Sequence, residues 1–428
     1  MKVSSTHPSI LIANALEQIY KSRLTTTSGG NISIKGEDNV VWITPAGVDK
    51  GSLSRKDIVK VNTNGDYEGR HKPSSEFPFH AAIYNKRPDI KAIIHAHPPA
   101  CVAFSIVGQI PDTTIIPQAK QLCGSVGFAP YRLPGSEALG QSIAEEFQKG
   151  FNSVIMENHG IVIGGSTLSE AFMRFETLEF CAKTLIRSKM LGESKTLSNT
   201  QLGAFEALKN GFGAIPEHNP SEEELLLRHE MANIIQRACR QGLMVSSFGT
   251  ISCRLTKTAF LINPTNFNRR EIVPEDLVFI DKETKEAQKE ASRATPMHQE
   301  IYKNHKNINC IISTQSPNAM AFAITHSKMD TRTIPESYVL LEDIPLLPYG
   351  EPLKRGGDAV KVLGKHTPIG LFQNNSILVT GSNLLEAFDR LEVAEFSAKS
   401  IIDSKALGVV NPIKENEIKD LRAKFLKD

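Results

Sequence analysis

The chain has 428 residues, of which 40% are hydrophobic and 22% charged, and carries a formal net charge of +2. That length exceeds one ordinary core and points to two domains of about 200 residues each. The balanced charge excludes a nucleic-acid footprint, and no apolar stretch approaches the roughly eighteen residues of a membrane span.

The first residues, MKVSSTHPSI, lack the apolar core and small-residue cleavage site of a secretory signal. Six cysteines (Cys101, Cys123, Cys181, Cys239, Cys253 and Cys310) are scattered, with no CxxC pair. Reduced thiols and a cytoplasmic location are therefore expected. Next comes SGGNISI (28–34), whose paired glycines permit either a tight turn or the approach of backbone amides to a phosphate. The runs VVWITP and DIVKVN read as strands, the first closing on the Pro/Gly turn of ITPAGV. In KPSSEFPFHAAIY, Ser74, Ser75 and Glu76 precede a helix, as an ordinary helix cap or as an anion cradle. The strand KAIIHAH then places His95 and His97 on one face, because strand side chains alternate with period two. A further apolar strand, SVIMENHGIVIGG, is interrupted at Glu157-Asn158-His159-Gly160. His95, His97 and His159 are thus candidate ligands for Zn²⁺ or a similar divalent ion with one position left open. Strand-end polar residues are the plain alternative.

The same elements then return. SGGNISI is answered by SFGTISC, VVWITP by AFLINP, HAAIY by HQEIY and APYRLPG by LPYGEPL. SEAFMRFETLEFCAKTLIRSKMLG is answered by LEAFDRLEVAEFSAKSIIDSKALG. Collinear matches over so long a span imply a tandem duplication. Ala171, Phe175, Leu178, Ala182 and Leu185 recur at helical spacing, and Ala387, Leu391, Ala394, Ala398 and Ile401 repeat that face. The expected fold class is α/β, a three-layer αβα arrangement about a mixed or antiparallel sheet, present twice. Expected boundaries are 1–195, a linker at 196–220 with one short helix, 221–409, and a helical tail at 410–428.

Together, GGNIS, ITPAGV, KPSSEFPFH, HAHP and ENHG resemble the class II aldolase/adducin family, and within it the L-fuculose-1-phosphate aldolase-like sugar-phosphate enzymes. The resemblance implies a nine-stranded central sheet, Zn²⁺ held by His95, His97 and His159, and Glu76 as acid/base. It implies Asn31, Gly47, Ser74 and Ser75 as holders of a substrate phosphate, and tetramers with sites between subunits. The implied activity is retro-aldol cleavage of a ketose phosphate to dihydroxyacetone phosphate and an aldehyde. A related epimerase, dehydratase or decarboxylase, or an adducin-like scaffold, are the other readings. Ala46 stands where the family's phosphate turn offers a hydroxyl, and no tyrosine lies between Ser105 and Lys120, so fuculose phosphate itself is not implied.

In the second repeat, Ser313 and Gln315 replace His95 and His97, Asn375 replaces His159, Ala294 replaces Glu76, Arg293 replaces Ser75 and Thr250 replaces Asn31. Serine and glutamine do not substitute for imidazole at Zn²⁺. One ion per chain is expected, in the first repeat, with the second a pseudo-enzyme domain whose Arg293 is a candidate anion contact. A homodimer rebuilding a pseudo-four-fold ring is the expected assembly, acting on a phosphorylated sugar, with neither nucleic acid nor membrane as partner.

Overall fold

A computed structural model describes residues 6–208, 211–364 and 366–426. They form two compact units, the first ending at residue 183 and excluding 114–118, the second made of 114–118 and the residues from 184 onward. No helix among the described residues is long and apolar enough to cross a membrane.

The first unit is built on β1 (Asn31–Lys35), β2 (Val41–Ile43), β3 (Val59–Val61), β4 (Tyr67–Glu68), β5 (Ala92–Ala96), β6 (Gly127–Ala129), β7 (Ser153–Met156) and β8 (Gly160–Gly165). Their order is β4-β3-β2-β1-β5-β8-β7-β6, antiparallel except for the β6–β7 pair. Side-chain alternation gives the sheet two apolar faces. Ile32, Ile94 and Ile163 pack with Ile12, Leu16 and Ile19 of helix Pro8–Lys21 and with Phe172 and Phe175 of helix Leu168–Ser188. On the other face, Ile93, Val154 and Val162 meet Phe79 and Ile83 of helix Phe77–Lys86 and Ile143 and Phe147 of helix Glu137–Gln148. This is the expected three-layer arrangement, with eight strands rather than nine. The apolar run around ENHG is a hairpin, β7 and β8 joined through Glu157–His159, and not one interrupted strand.

The second unit repeats the plan with β9 (Gly213–Ile215), β10 (Thr250–Arg254), β11 (Ala259–Ile262), β12 (Val278–Asp281), β13 (Thr284–Glu286), β14 (Cys310–Thr314), β15 (Leu346–Leu347), β16 (Ile369–Phe372) and β17 (Ser376–Gly381). The order is β15-β16-β17-β14-β10-β11-β12-β13-β9. Its ninth strand is not part of the repeat. It comes from the segment read as a linker, which forms helix Asn199–Glu206 and then β9, parallel to β13. Both long helices bury the face read from the sequence, including Phe175, Leu178, Leu391 and Ala394 at 0% exposure. The tail forms helix Glu415–Phe425.

Two polar devices recur in both units. Glu179, buried on a long helix, accepts the Ala100 and Cys101 amides at the start of helix Pro99–Ile106, and Glu395 does the same for Asn318 and Ala319. A carboxylate there satisfies amides that the first turn of a helix leaves unpaired, and in the first unit it seats the chain just after His97. The second device is a buried trio. Ser33 Oγ lies 2.7 Å from both His80 Nδ1 and Tyr84 OH, and Ser252 Oγ lies 2.8 Å from both His298 Nδ1 and Tyr302 OH. Each trio ties a helix to the first strand of the repeat.

His298 makes stability depend on pH. Burial holds its pKa down at about 3, so the unfolded chain takes up the proton first as pH falls. Its contribution is complete above pH ~6.5 and is lost as pH drops towards 3, about 2 kcal/mol of it already gone at pH 5. Urea unfolding of the whole chain is therefore expected to show a smaller loss between pH 7 and pH 5 in His298→Phe than in the native chain. Parallel losses in both would contradict this origin.

Candidate metal centre

Sheet register brings the site together. β5 is paired with β1 on one side and β8 on the other, placing Asn31 opposite His95 and His95 opposite Val162. His97 follows the end of β5, and His159 sits in the turn that leads into β8 at the same end of the sheet. That turn closes through Asn158, whose φ of 52° is left-handed, and through the His159 amide, which donates to Met156 O at 3.1 Å. The three rings stand 4.8, 5.0 and 5.1 Å apart by centroid, and their nearest nitrogens all lie within 4.8 Å of one another.

Tautomers and charge follow from the surroundings. His95 Nδ1 lies 2.9 Å from Ile161 O, an acceptor, so it carries the proton and leaves the Nε2 lone pair free. His95 Nε2 and His97 Nε2 are 3.1 Å apart. Two nitrogens bound at about 2.0–2.1 Å to one tetrahedral ion would be roughly 3.4 Å apart, so the pair is close enough to share one. Burial pushes both imidazoles down to about pKa 3, His95 further through His159 and His97 through His95 and His159. His159 is lowered by burial, with Glu76 opposing. All three are neutral near pH 7, the form that binds metal. Three neutral imidazoles with converging lone pairs fit a divalent cation. Among the described residues they are the group that offers such ligands.

Glu76 closes the site from the N-terminal end of helix Phe77–Lys86. Its Oε2 is 3.3 Å from His95 Nε2 and its Oε1 is 3.8 Å from His159 Nε2. Asn31 Nδ2 donates to Oε2 at 2.7 Å. The KPSSE and ITPAG turns are drawn together by a bridge between Pro45 and Pro73, by Ala46 N to Lys72 O and by Ser74 N to Thr44 O. Ser74 is buried, with its Oγ accepting from Glu76 N at 3.3 Å, while Ser75 and Gly47 are exposed beside it. Every residue singled out from the first repeat therefore lies at this one end of the sheet or on the two turns that flank it.

Two glycines have a packing role that no single stretch of sequence reveals, and Gly30 takes the tight-turn conformation, one of the two readings of the paired glycines. Gly30 has φ +76°, and a Cβ there would meet His95 O at 2.7 Å. A Cβ on Gly160 would meet Ala96 O and the His97 ring at 2.6 Å. Their small size lets the histidine strand pack, and the second repeat was the available signal. There Ser376 replaces Gly160 where Gln315 replaces His97. Lys50 was missed altogether. It is buried, its Nζ donates to Pro45 O at 2.6 Å, and its pKa is lowered by burial and raised by Glu76. Its counterpart Arg269 is also buried and donates to Gly249 O and Phe267 O, which makes the shared role one of holding the turn.

In the corresponding region of the second unit the replacements hydrogen-bond to one another. Gln315 Nε2 donates to Asn375 O, Ser313 Oγ to Ser376 Oγ, and Ser376 Oγ to Asn375 Oδ1. Arg293 donates to Asn266 Oδ1 and lies over the Phe205 ring at 5.0 Å.

The family model described as "Class II Aldolase and Adducin N-terminal domain" matches residues 10–186 and again 229–402. The chain belongs to this family. Both class II aldolase domains are thus accounted for, the second without the histidines. The 5-deoxy-D-ribulose 1-phosphate aldolase of Bacillus thuringiensis is 32% identical over 46% of this chain and 92% of its own length. The L-fuculose phosphate aldolase of Methanococcus maripaludis is 33% identical over 39% and 88%. A 3-oxo-tetronate 4-phosphate decarboxylase of Haemophilus influenzae is 33% identical over 38% and 80%. Among solved structures, an L-fuculose 1-phosphate aldolase aligns with TM-score 0.43 and 30% identity over 47% of this chain and 94% of that one.

Proposed function

We propose that the first unit is a Zn²⁺-dependent aldehyde-lyase that cleaves a ketose phosphate to dihydroxyacetone phosphate and an aldehyde. The observation that carries this reading is a carboxylate, Glu76, set within 3.3 and 3.8 Å of two of three converging neutral histidines. A bound divalent ion supplies Lewis-acid polarisation of the substrate carbonyl and its neighbouring hydroxyl oxygen. His95, His97 and His159 would hold it. Glu76 takes the proton of the hydroxyl at the breaking bond and returns one to the carbon left behind, a contribution of about 10²–10⁴-fold. Ser74, Ser75, Gly47 and the second Nδ2 hydrogen of Asn31 orient the phosphate. Glutamate rather than aspartate after the paired serines favours the aldolase over an epimerase. The resemblance to a tetronate-phosphate decarboxylase supports, as a second reading, a decarboxylase of a sugar-acid phosphate on the same residues.

The substrate class, cytoplasmic location and assembly as a homodimer with a pseudo-four-fold ring of units belong to the same proposal. Elemental analysis of chelator-free protein is expected to find about one Zn²⁺ per chain, and light scattering of that preparation a dimer. A panel of ketose 1- and 5-phosphates and 3-oxo acid phosphates, scored for dihydroxyacetone phosphate, aldehyde or carbon dioxide, separates the two reactions. Metal near zero would refute the enzyme, metal near two would refute the silent second unit, and a fully active monomer would refute the ring.

A further inference from the structure

One histidine of the first unit lies behind the site and is absent from the chemistry above. His80 is fully buried on helix Phe77–Lys86, with Nδ1 2.7 Å from Ser33 Oγ and Nε2 2.5 Å from Asn31 Oδ1. Asn31 in turn donates from Nδ2 to Glu76 Oε2 at 2.7 Å. A hydrogen-bonded line therefore runs Tyr84–Ser33–His80–Asn31–Glu76, with members from β1 and from the helix and its N-cap.

The donor directions along this line are not free. Glu76 as a carboxylate only accepts, so the Asn31 amide must turn its Nδ2 towards it. Oδ1 then faces His80, and an amide oxygen only accepts, so His80 Nε2 must carry the proton. Nδ1 of a neutral imidazole is then an acceptor, and Ser33 donates to it. Ser33 Oγ in turn accepts from Tyr84 OH. Every donor points towards Glu76. The opposite His80 tautomer would set two lone pairs against each other or turn the Asn31 oxygen onto the carboxylate.

The second unit separates the structural half of this line from the rest. Ser252, His298 and Tyr302 reproduce the trio, yet Asn31 is replaced by Thr250 and Glu76 by Ala294. Thr250 Oγ1 bonds Ser292 Oγ instead, and His298 Nε2 has no hydrogen-bond partner among the described residues. Seating the helix on the strand thus needs only the Nδ1 side of the histidine. The Nε2 side is connected only where the carboxylate is kept.

We propose that His80 is a positioning residue for Glu76, fixing the Asn31 amide in the one orientation that donates to the carboxylate. It touches neither substrate nor metal. The proposal deepens the reading of Glu76 as acid/base and rests on it for its kinetic consequence, though its structural content stands apart.

Two variants and one spectrum test it. His80→Phe keeps the ring volume without a donor, whereas His80→Gln can still present an N–H to Asn31. His80→Phe is expected to lower kcat roughly 10- to 100-fold, with KM changed less than about threefold and bound metal and circular dichroism as in the native chain. His80→Gln should recover most of kcat. His298→Phe, with the same loss inside the other trio, should leave kcat unchanged. Equal losses in His80→Phe and His298→Phe, or no rescue by glutamine, would reduce His80 to a packing residue and overturn the proposal. Should the phenylalanine variant fail to fold, His80→Leu, which also lacks a donor, compared with His80→Gln and His298→Leu carries the kinetic arm. Independently of any substrate, ¹⁵N NMR of the whole chain, with the His80 signals identified by their loss in His80→Gln, should show a neutral ring protonated at Nε2. An Nδ1-protonated ring overturns the proposal even if the aldolase reading stands. An Nε2-protonated ring beside an inactive protein sinks the aldolase reading and leaves the hydrogen-bonded line in place.

Discussion

His97→Ala is expected to empty the metal site and abolish turnover while the protein stays folded. In the proposed reading the three imidazoles are the protein ligands of a site with one open position, and removing one leaves two, below what holds Zn²⁺ against dilution. Bound metal should drop from about one per chain to less than about a tenth, and kcat/KM should fall by at least about 10³-fold. The fold should survive because His97 lies beyond the end of β5 and is only half-buried, unlike fully buried His95. Elemental analysis and circular dichroism on the same sample check both halves of the expectation. Activity that persists in a chain carrying no metal would end the metal-dependent reading.

Glu76→Gln should separate chemistry from metal binding. Glutamine is isosteric and can still accept the Asn31 Nδ2–H, so the local geometry is kept. It cannot take up a proton, and a kcat loss of about 10²–10⁴-fold is expected with KM little changed. Zn²⁺ content should remain that of the native chain, since the histidines are untouched. A variant that loses metal as readily as His97→Ala would make Glu76 a ligand instead of an acid/base group. One that keeps full activity would remove it from the mechanism. Together, the two substitutions distinguish a lost ion from a lost proton acceptor.

The second unit carries a lesson of its own. Its strands, long helix and buried trio match those of the first, and its polar replacements hydrogen-bond one another where the first unit leaves nitrogen lone pairs converging. The fold demands the apolar pattern and the trio. It does not demand His95, His97, His159 or Glu76. This internal comparison is the strongest physical reason to connect those four residues with function, because it needs no other protein.

What the amino-acid sequence determined by itself was whatever is local or repeated. The period-two run before His95 and the helical face of Ala171, Phe175 and Leu178 follow from side-chain geometry along one element. The duplication, and the loss of the histidines from one copy, follow from setting two stretches side by side. Contacts that cross the sheet were decided only by the tertiary structure. Asn31 and Glu76 are 45 positions apart, Ser33 and His80 are 47, and His95 and Ile161 are 66. Each depends on which element packs beside which: helix Phe77–Lys86 against β1 for the first two, and β5 paired with β8 for the third. The same is true of Gly160 against the His97 ring, and of β9, a strand supplied by a stretch whose Gly, Pro and Asn content reads as a linker. Periodicity encodes which face of an element is apolar. It does not encode which neighbour that element will meet, and the proton positions around Glu76 depend on the neighbour.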